Sequence, residues 1–129
     1  MFTLQQIEEA HKKVQSGADF PKYIQEIKGF GVQSFVTFVK DSHTEYFGDN
    51  DFTRSSDAQY DDLEIAETTD SEKFKTQLKA HQQGKTDYFT FCKDCAETGI
   101  EKWIVDLNKM TCIYYDKSGN EILVEEIPN

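Results

Sequence analysis

Apolar residues recur at helical spacing in four stretches of this chain and alternate with polar ones in the stretches between. The two periodicities predict its elements. Ile7, Ala10, His11 and Val14 fall at i, i+3, i+4 and i+7 behind Thr3. This predicts a helix over about residues 4–16, capped by Thr3 and ended by Gly17. Asp19 is the predicted cap of a second helix, with Pro21 in its first turn, where a missing N–H costs little. Phe20, Tyr23, Ile24 and Ile27 form the buried stripe of that helix, and Gly29 to Gly31 stop it. Val32 to Lys40 is rich in β-branched and aromatic residues and predicts a strand, which the Asp41-Ser42 turn folds back into another over Thr44 to Phe47.

The second half of the chain predicts the same order. Ser71 opens a helix carrying Phe74, Leu78 and His81 and closed by Gly84; Asp87 caps the next, whose stripe is Tyr88, Phe91, Cys92 and Cys95, closed by Gly99. Strands are predicted over Ile100 to Leu107, Thr111 to Asp116 and Ile122 to Ile127, with turns at Asn108-Lys109 and Lys117 to Asn120. In the first half the third strand is expected at Leu63 to Ala66, after the polar loop Gly48 to Asp62. Lys12, Gln15, Gly17, Asp19, Gly31 and Tyr46 recur about 68 residues later as Lys79, Gln82, Gly84, Asp87, Gly99 and Tyr114. The expected fold class is therefore α+β: two tandem α-α-β-β-β repeats, about 3–67 and 71–127, forming one domain over 1–129 with a mainly antiparallel sheet. Two such halves are expected to pair about a pseudo-two-fold axis, because each alone is too small for a good core.

Composition narrows the function classes. Twenty-four acidic against 14 basic residues give a formal charge of −10. Such a surface repels phosphate backbones, and Lys12-Lys13, the one basic pair, has Glu8 and Glu9 a turn away, so no nucleic-acid partner is expected. Anionic lipid is disfavoured for the same reason, and no apolar run approaches a membrane span. The start of the chain lacks a signal-peptide pattern, so a cytoplasmic location is expected, with the three cysteines reduced.

Candidate chemistry is sparse. Cys92-Lys93-Asp94-Cys95 has the spacing of half a zinc site or of a redox pair. Both cysteines fall on the apolar stripe of their helix and no second Cys/His pair stands at metal spacing, so core packing is the reading; Cys112, alternating within a strand, is read as packed too. His11 and His81 are read as core-margin residues. Asp41, Ser42 and His43 would supply a Ser–His–Asp set by type, but neighbours in a tight turn cannot converge on one substrate atom. Asp49, Asp51, Thr53, Ser55 and Asp57 alternate like calcium ligands, yet the loop lacks glycine at its sixth position and has Tyr60 where a bidentate Glu belongs. No metal site, catalytic residue or cofactor is assigned.

The length, the segment DFPKYIQEIKGFGV behind the first helix, and the Tyr46-Phe47-Gly48-Asp49-Asn50-Asp51 exit from the hairpin resemble a small bacterial and prophage family, the YbcV/YdfO-like proteins. That family commonly carries the label "phage envelope protein". The resemblance implies a domain of this size and unknown function, and it brings no functional residues with it. The leading expectation is a protein-interaction or regulatory module of mobile-element type. Its acidic loop would present Asp49, Asp51, Phe52, Asp57, Tyr60, Asp61 and Asp62 to a basic protein partner, aromatic anchors within a carboxylate rim. The alternatives are a phage structural component, or a small-ligand-binding domain or enzyme with its pocket between the halves, near Tyr46, Tyr114, Tyr115, His11 and His81.

Overall fold

A computed structural model of the chain describes residues 2–14 and 19–128. Among them are helices α1 (Leu4–His11), α2 (Phe20–Gly29), α3 (Ser71–Gln82) and α4 (Tyr88–Glu97). The strands are β1 (Ser34–Phe38), β2 (Thr44–Phe47), β3 (Thr53–Ser55), β4 (Ile100–Asp106), β5 (Thr111–Asp116) and β6 (Glu121–Glu126). The class is α+β, as expected, and the sheet is antiparallel throughout its order β3-β2-β1-β4-β5-β6.

Side chains explain where the helices begin. Thr3 and Gln6 form a reciprocal capping box on α1, each side chain bonding the other's backbone N–H. Asp87 accepts from Thr90 N at 2.8 Å to open α4. Asp70, not Ser71, caps α3 by accepting from Lys73 N at 3.1 Å. Helix α1 ends at His11, short of the expected residue 16; the predicted stop at Gly17 and the Gln15 of the proposed repeat lie outside the described residues. Gly99 closes α4 at φ +86, where a Cβ would stand 2.9 Å from both Thr68 O and Thr69 Cα, so turn geometry and close packing require the same residue.

The third strand of the first half is not Leu63–Ala66. It is Thr53–Ser55, inside the segment expected to be a loop, and it pairs with β2 from Glu45↔Ser55 to Phe47↔Thr53. Leu63–Ala66 runs as irregular chain whose amides bond outside the sheet, Leu63 N to Lys40 O and Ala66 N to Ala96 O, while Ile65 enters the core.

Strands β1 and β4 meet at the centre, from Ser34↔Asp106 to Phe38↔Lys102. Alternation then sorts the sheet's two faces. Phe35, Thr37, Thr44, Tyr46, Trp103, Val105, Cys112 and Tyr114 are buried on the face that the helices cover. Ring contacts of Phe91 with Trp103 and of Phe74 with Tyr114 tie helix to sheet there. On the other face Val36, Ile104, Ile113 and Val124 stand in register across four strands, with Val124 54% exposed. Cys92 and Cys95 are fully buried on α4, and burial pushes all three thiols up, Cys112 to about 12. They pack as the sequence reading expected.

Candidate functional site

The helical layer does not close over the whole sheet. A cleft of about 820 Å3 lies between α1, α2 and the start of α4, with the sheet as its floor. Helix spacing brings Glu8 and His11 to one wall, joined by Phe20 and Tyr23 of α2, and the capping residue Asp87 leads Tyr88 and Phe89 into the opposite one. The floor comes from the inward positions of three strands: Phe35 and Thr37 on β1, Thr44 and Tyr46 on β2, and Trp103 on β4. The β1–β2 turn adds Ser42, and the chain beyond β3 adds Ser56, Gln59 and Tyr60.

Hydroxyl groups in this space are bonded chiefly to one another. Thr37 Oγ1 and Thr44 Oγ1 are 2.9 Å apart, and Ser42 Oγ lies 2.6 Å from the Tyr88 hydroxyl. The Tyr23 and Tyr46 hydroxyls are paired, and Tyr60 donates to Val39 O at 2.5 Å. Burial pushes the phenols of Tyr23, Tyr46, Tyr60 and Tyr88 above their ordinary range, and at Tyr60 and Tyr88 the neighbouring Cys92 thiol adds to the effect. Desolvation pulls His11 below the usual imidazole value, with its ring set edge-to-face on Tyr23 and Tyr88 at 5.3 and 5.9 Å. The site thus presents aromatic rings and paired hydroxyls, with formal charge confined to Glu8, Lys12 and Asp87.

The acidic segment has a different geometry. Asp49 and Asp51 bound a short 3-10 turn, with Gln33 Nε2 bonded to Asp49 Oδ1. Asp57, Asp61 and Asp62 are exposed further along, and of the expected anchors only Tyr60 also lines the cleft. Phe52 turns inward onto Phe2, ring centroids 4.8 Å apart, under the Arg54 guanidinium. Tyr60 is half-buried with its ring against Phe89.

Among the five residues expected at a seam between the halves, Tyr46 and His11 line the cleft. Tyr114 is buried against Phe74 of α3, Tyr115 lies beneath Lys102 Nζ, and His81 stacks on Phe91. Ser42 and His43 diverge as expected of turn neighbours. Ser42 bonds Tyr88, while His43 stacks on Phe38 with its Nδ1 2.6 Å from Asp41. Thr37, Tyr88 and Trp103 have no site role in the sequence reading, and Ser42 enters it only as a member of the Ser–His–Asp set that turn geometry excludes. Thr37 and Thr44 carried a usable signal, as polar residues at inward positions of predicted strands among Phe35, Val39 and Tyr46.

Residues 8–126 match the family described as protein of unknown function, DUF1398. The chain belongs to that family. The DUF1398 match takes in every cleft residue named here, from Glu8 to Trp103. The chain is also 19% identical over 118 residues to the uncharacterised protein YcgX of Escherichia coli (strain K12), covering 92% of this chain and 88% of that one. Neither likeness carries a phage-envelope description. Among the described residues, no helix is long and apolar enough to cross a membrane.

Proposed function

We propose that this DUF1398 chain binds a small organic molecule in the cleft between its helical layer and its sheet. The observation that carries the reading is the cleft itself. A space of about 820 Å3, walled by aromatic rings and sprinkled with hydroxyls, opens between the helical layer and the sheet. Natural ligand sites are concave, mostly apolar and about 300–1,000 Å3 in volume. The element order α-α-β-β-β, run through twice, supports treating the chain as two related halves with the cleft beside their junction at β1 and β4.

Trp103 lies in the cleft and is the sequence's single tryptophan, so its fluorescence reports occupancy. A chemically broad small-molecule screen is expected to yield compounds that shift this emission and raise the melting temperature. A ligand at 100 times its Kd stabilises by about 2.7 kcal/mol. Gln59→Tyr, which fills the mouth from an exposed position, is expected to abolish both effects while leaving the unliganded protein folded. A screen without hits, or hits indifferent to Gln59→Tyr, would remove the cleft from consideration.

The exposed carboxylates of Asp49, Asp51, Asp57, Asp61 and Asp62 support a second reading, an acidic surface for a basic protein. Capture from lysate at low salt is then expected to fail at high salt and in the variant with all five changed to Asn. Capture that survives both changes would exclude these carboxylates as the contact.

A further inference from the structure

We infer that the ligand of the cleft is an organic cation, a methylated or quaternary ammonium group carried on a small apolar body. The inference rests on the cleft being a binding site and deepens that reading by naming the chemistry it selects.

The first ground is what lines the space. Eight of the described residues that line it are aromatic. The faces of such rings are the negative ends of their quadrupoles and attract a cation lying within about 6 Å of the centroid. A cation of the protein's own already shows the effect at the mouth. Lys93 Nζ stands 5.8 Å from the ring centroid of Phe89, a residue 45% exposed.

The second ground is what the polar groups are doing. A sugar or another polyhydroxylated ligand needs many open donors and acceptors, whereas here the hydroxyls are paired, Thr37 with Thr44 and Ser42 with Tyr88, and each pair keeps one O–H to offer. Ser56 Oγ accepts from Thr44 N at 2.9 Å, and Gln59 Nε2 donates to Asp57 O. A quaternary ammonium asks for no hydrogen bond. It delivers charge to ring faces without leaving an unpaired N–H in an apolar wall.

The third ground is sign. Glu8 and Asp87 stand against Lys12 in the lining, and the chain as a whole carries −10, so an anion is repelled and a cation drawn in. A neutral apolar ligand would use the rings but gain nothing from the two carboxylates.

Choline and its neutral isostere 3,3-dimethylbutan-1-ol have nearly the same shape and differ in charge, and both can be titrated against Trp103 emission and by calorimetry. Choline is expected to bind at least about tenfold more tightly than the alcohol, the measure of a desolvated cation–ring contact. Tetramethylammonium should compete with it, and Glu8→Gln with Asp87→Asn should weaken choline several-fold; Asn at 87 keeps the helix cap. Equal binding of choline and the alcohol would overturn the cation and leave the cleft as a binding site. The same holds if neither binds while the broad screen yields Gln59-sensitive ligands. Failure of all three would end both readings.

Discussion

Phe74→Ala is expected to remove about 3–5 kcal/mol of folding stability, the range for deleting a buried ring from a core that closes only partly behind it. Phe74 is fully buried on α3 and meets the Tyr114 ring edge-on at 5.0 Å, so the substitution empties the layer between that helix and β5. The aromatic pairing adds about 0.5–1.5 kcal/mol to what the lost area alone would cost. Against the 5–15 kcal/mol usual for a domain, such a loss brings the unfolded state within reach of ordinary temperatures. Urea denaturation measures it directly, with Val124→Ala as control. Val124 is 54% exposed on the opposite face, and its truncation should change stability by no more than about 0.5 kcal/mol. A loss below about 1 kcal/mol for Phe74→Ala would mean that α3 is not docked on the sheet as described.

The contrast between those two positions also marks what the sequence made legible. Elements buried on one face and wet on the other announce themselves by period. The turn and strand boundaries at Thr44–Phe47 and Thr111–Asp116 fall where alternation predicts them, and α4 starts at the Asp87 cap. Strand β3 does not announce itself, because its residues Thr53, Arg54 and Ser55 are all exposed on a sheet edge, and a strand with no buried face has no alternation to read. Leu63–Ala66 misleads for the complementary reason. Leu63 and Ile65 are apolar because they plug the core from irregular chain, and apolar residues two apart look like a strand whatever backbone carries them.

The cleft was legible only in part. Tyr46 and His11 line it, whereas Tyr114 is covered by Phe74 of α3 and His81, on α3 itself, stacks on Phe91. Periodicity gives the face on which a residue sits. It does not give which helix crosses which strand, and that decides whether an inward ring is covered by another ring, as Tyr114 is, or left lining a space. Tyr115 escaped by another route. It follows inward-facing Tyr114 on the strand, so alternation turns it to the far face, where it pairs with Lys102 and lies under that side chain. In the acidic segment, carboxylates and rings are neighbours in sequence and part company in space, since Phe52 is drawn onto Phe2 while Asp51 and Asp57 stay in water.

Tyr88 joins these threads, and its removal should be the most damaging single change to the cleft. Tyr88→Ala is expected to cost about 3 kcal/mol or more of stability. Its ring links α1 to the sheet, edge-on to Trp103 at 6.4 Å and to His11 at 5.9 Å. Its hydroxyl bonds Ser42 Oγ at 2.6 Å, and Ser42 is buried in a left-handed turn at φ 61, a conformation that non-glycine residues adopt at a cost. Tyr88→Phe separates the two contributions. It keeps the ring and leaves Ser42 without its phenolic partner, and should cost about 1–3 kcal/mol by itself. The double variant Tyr88→Phe with Ser42→Gly then reads the turn. Glycine removes both the orphaned hydroxyl and the left-handed strain, so stability should recover part of the way towards the natural protein in thermal denaturation. Recovery would locate the cost in the Ser42–Tyr88 bond. A double variant worse than Tyr88→Phe alone would instead place the stabilising role of Ser42 in packing beneath the cleft.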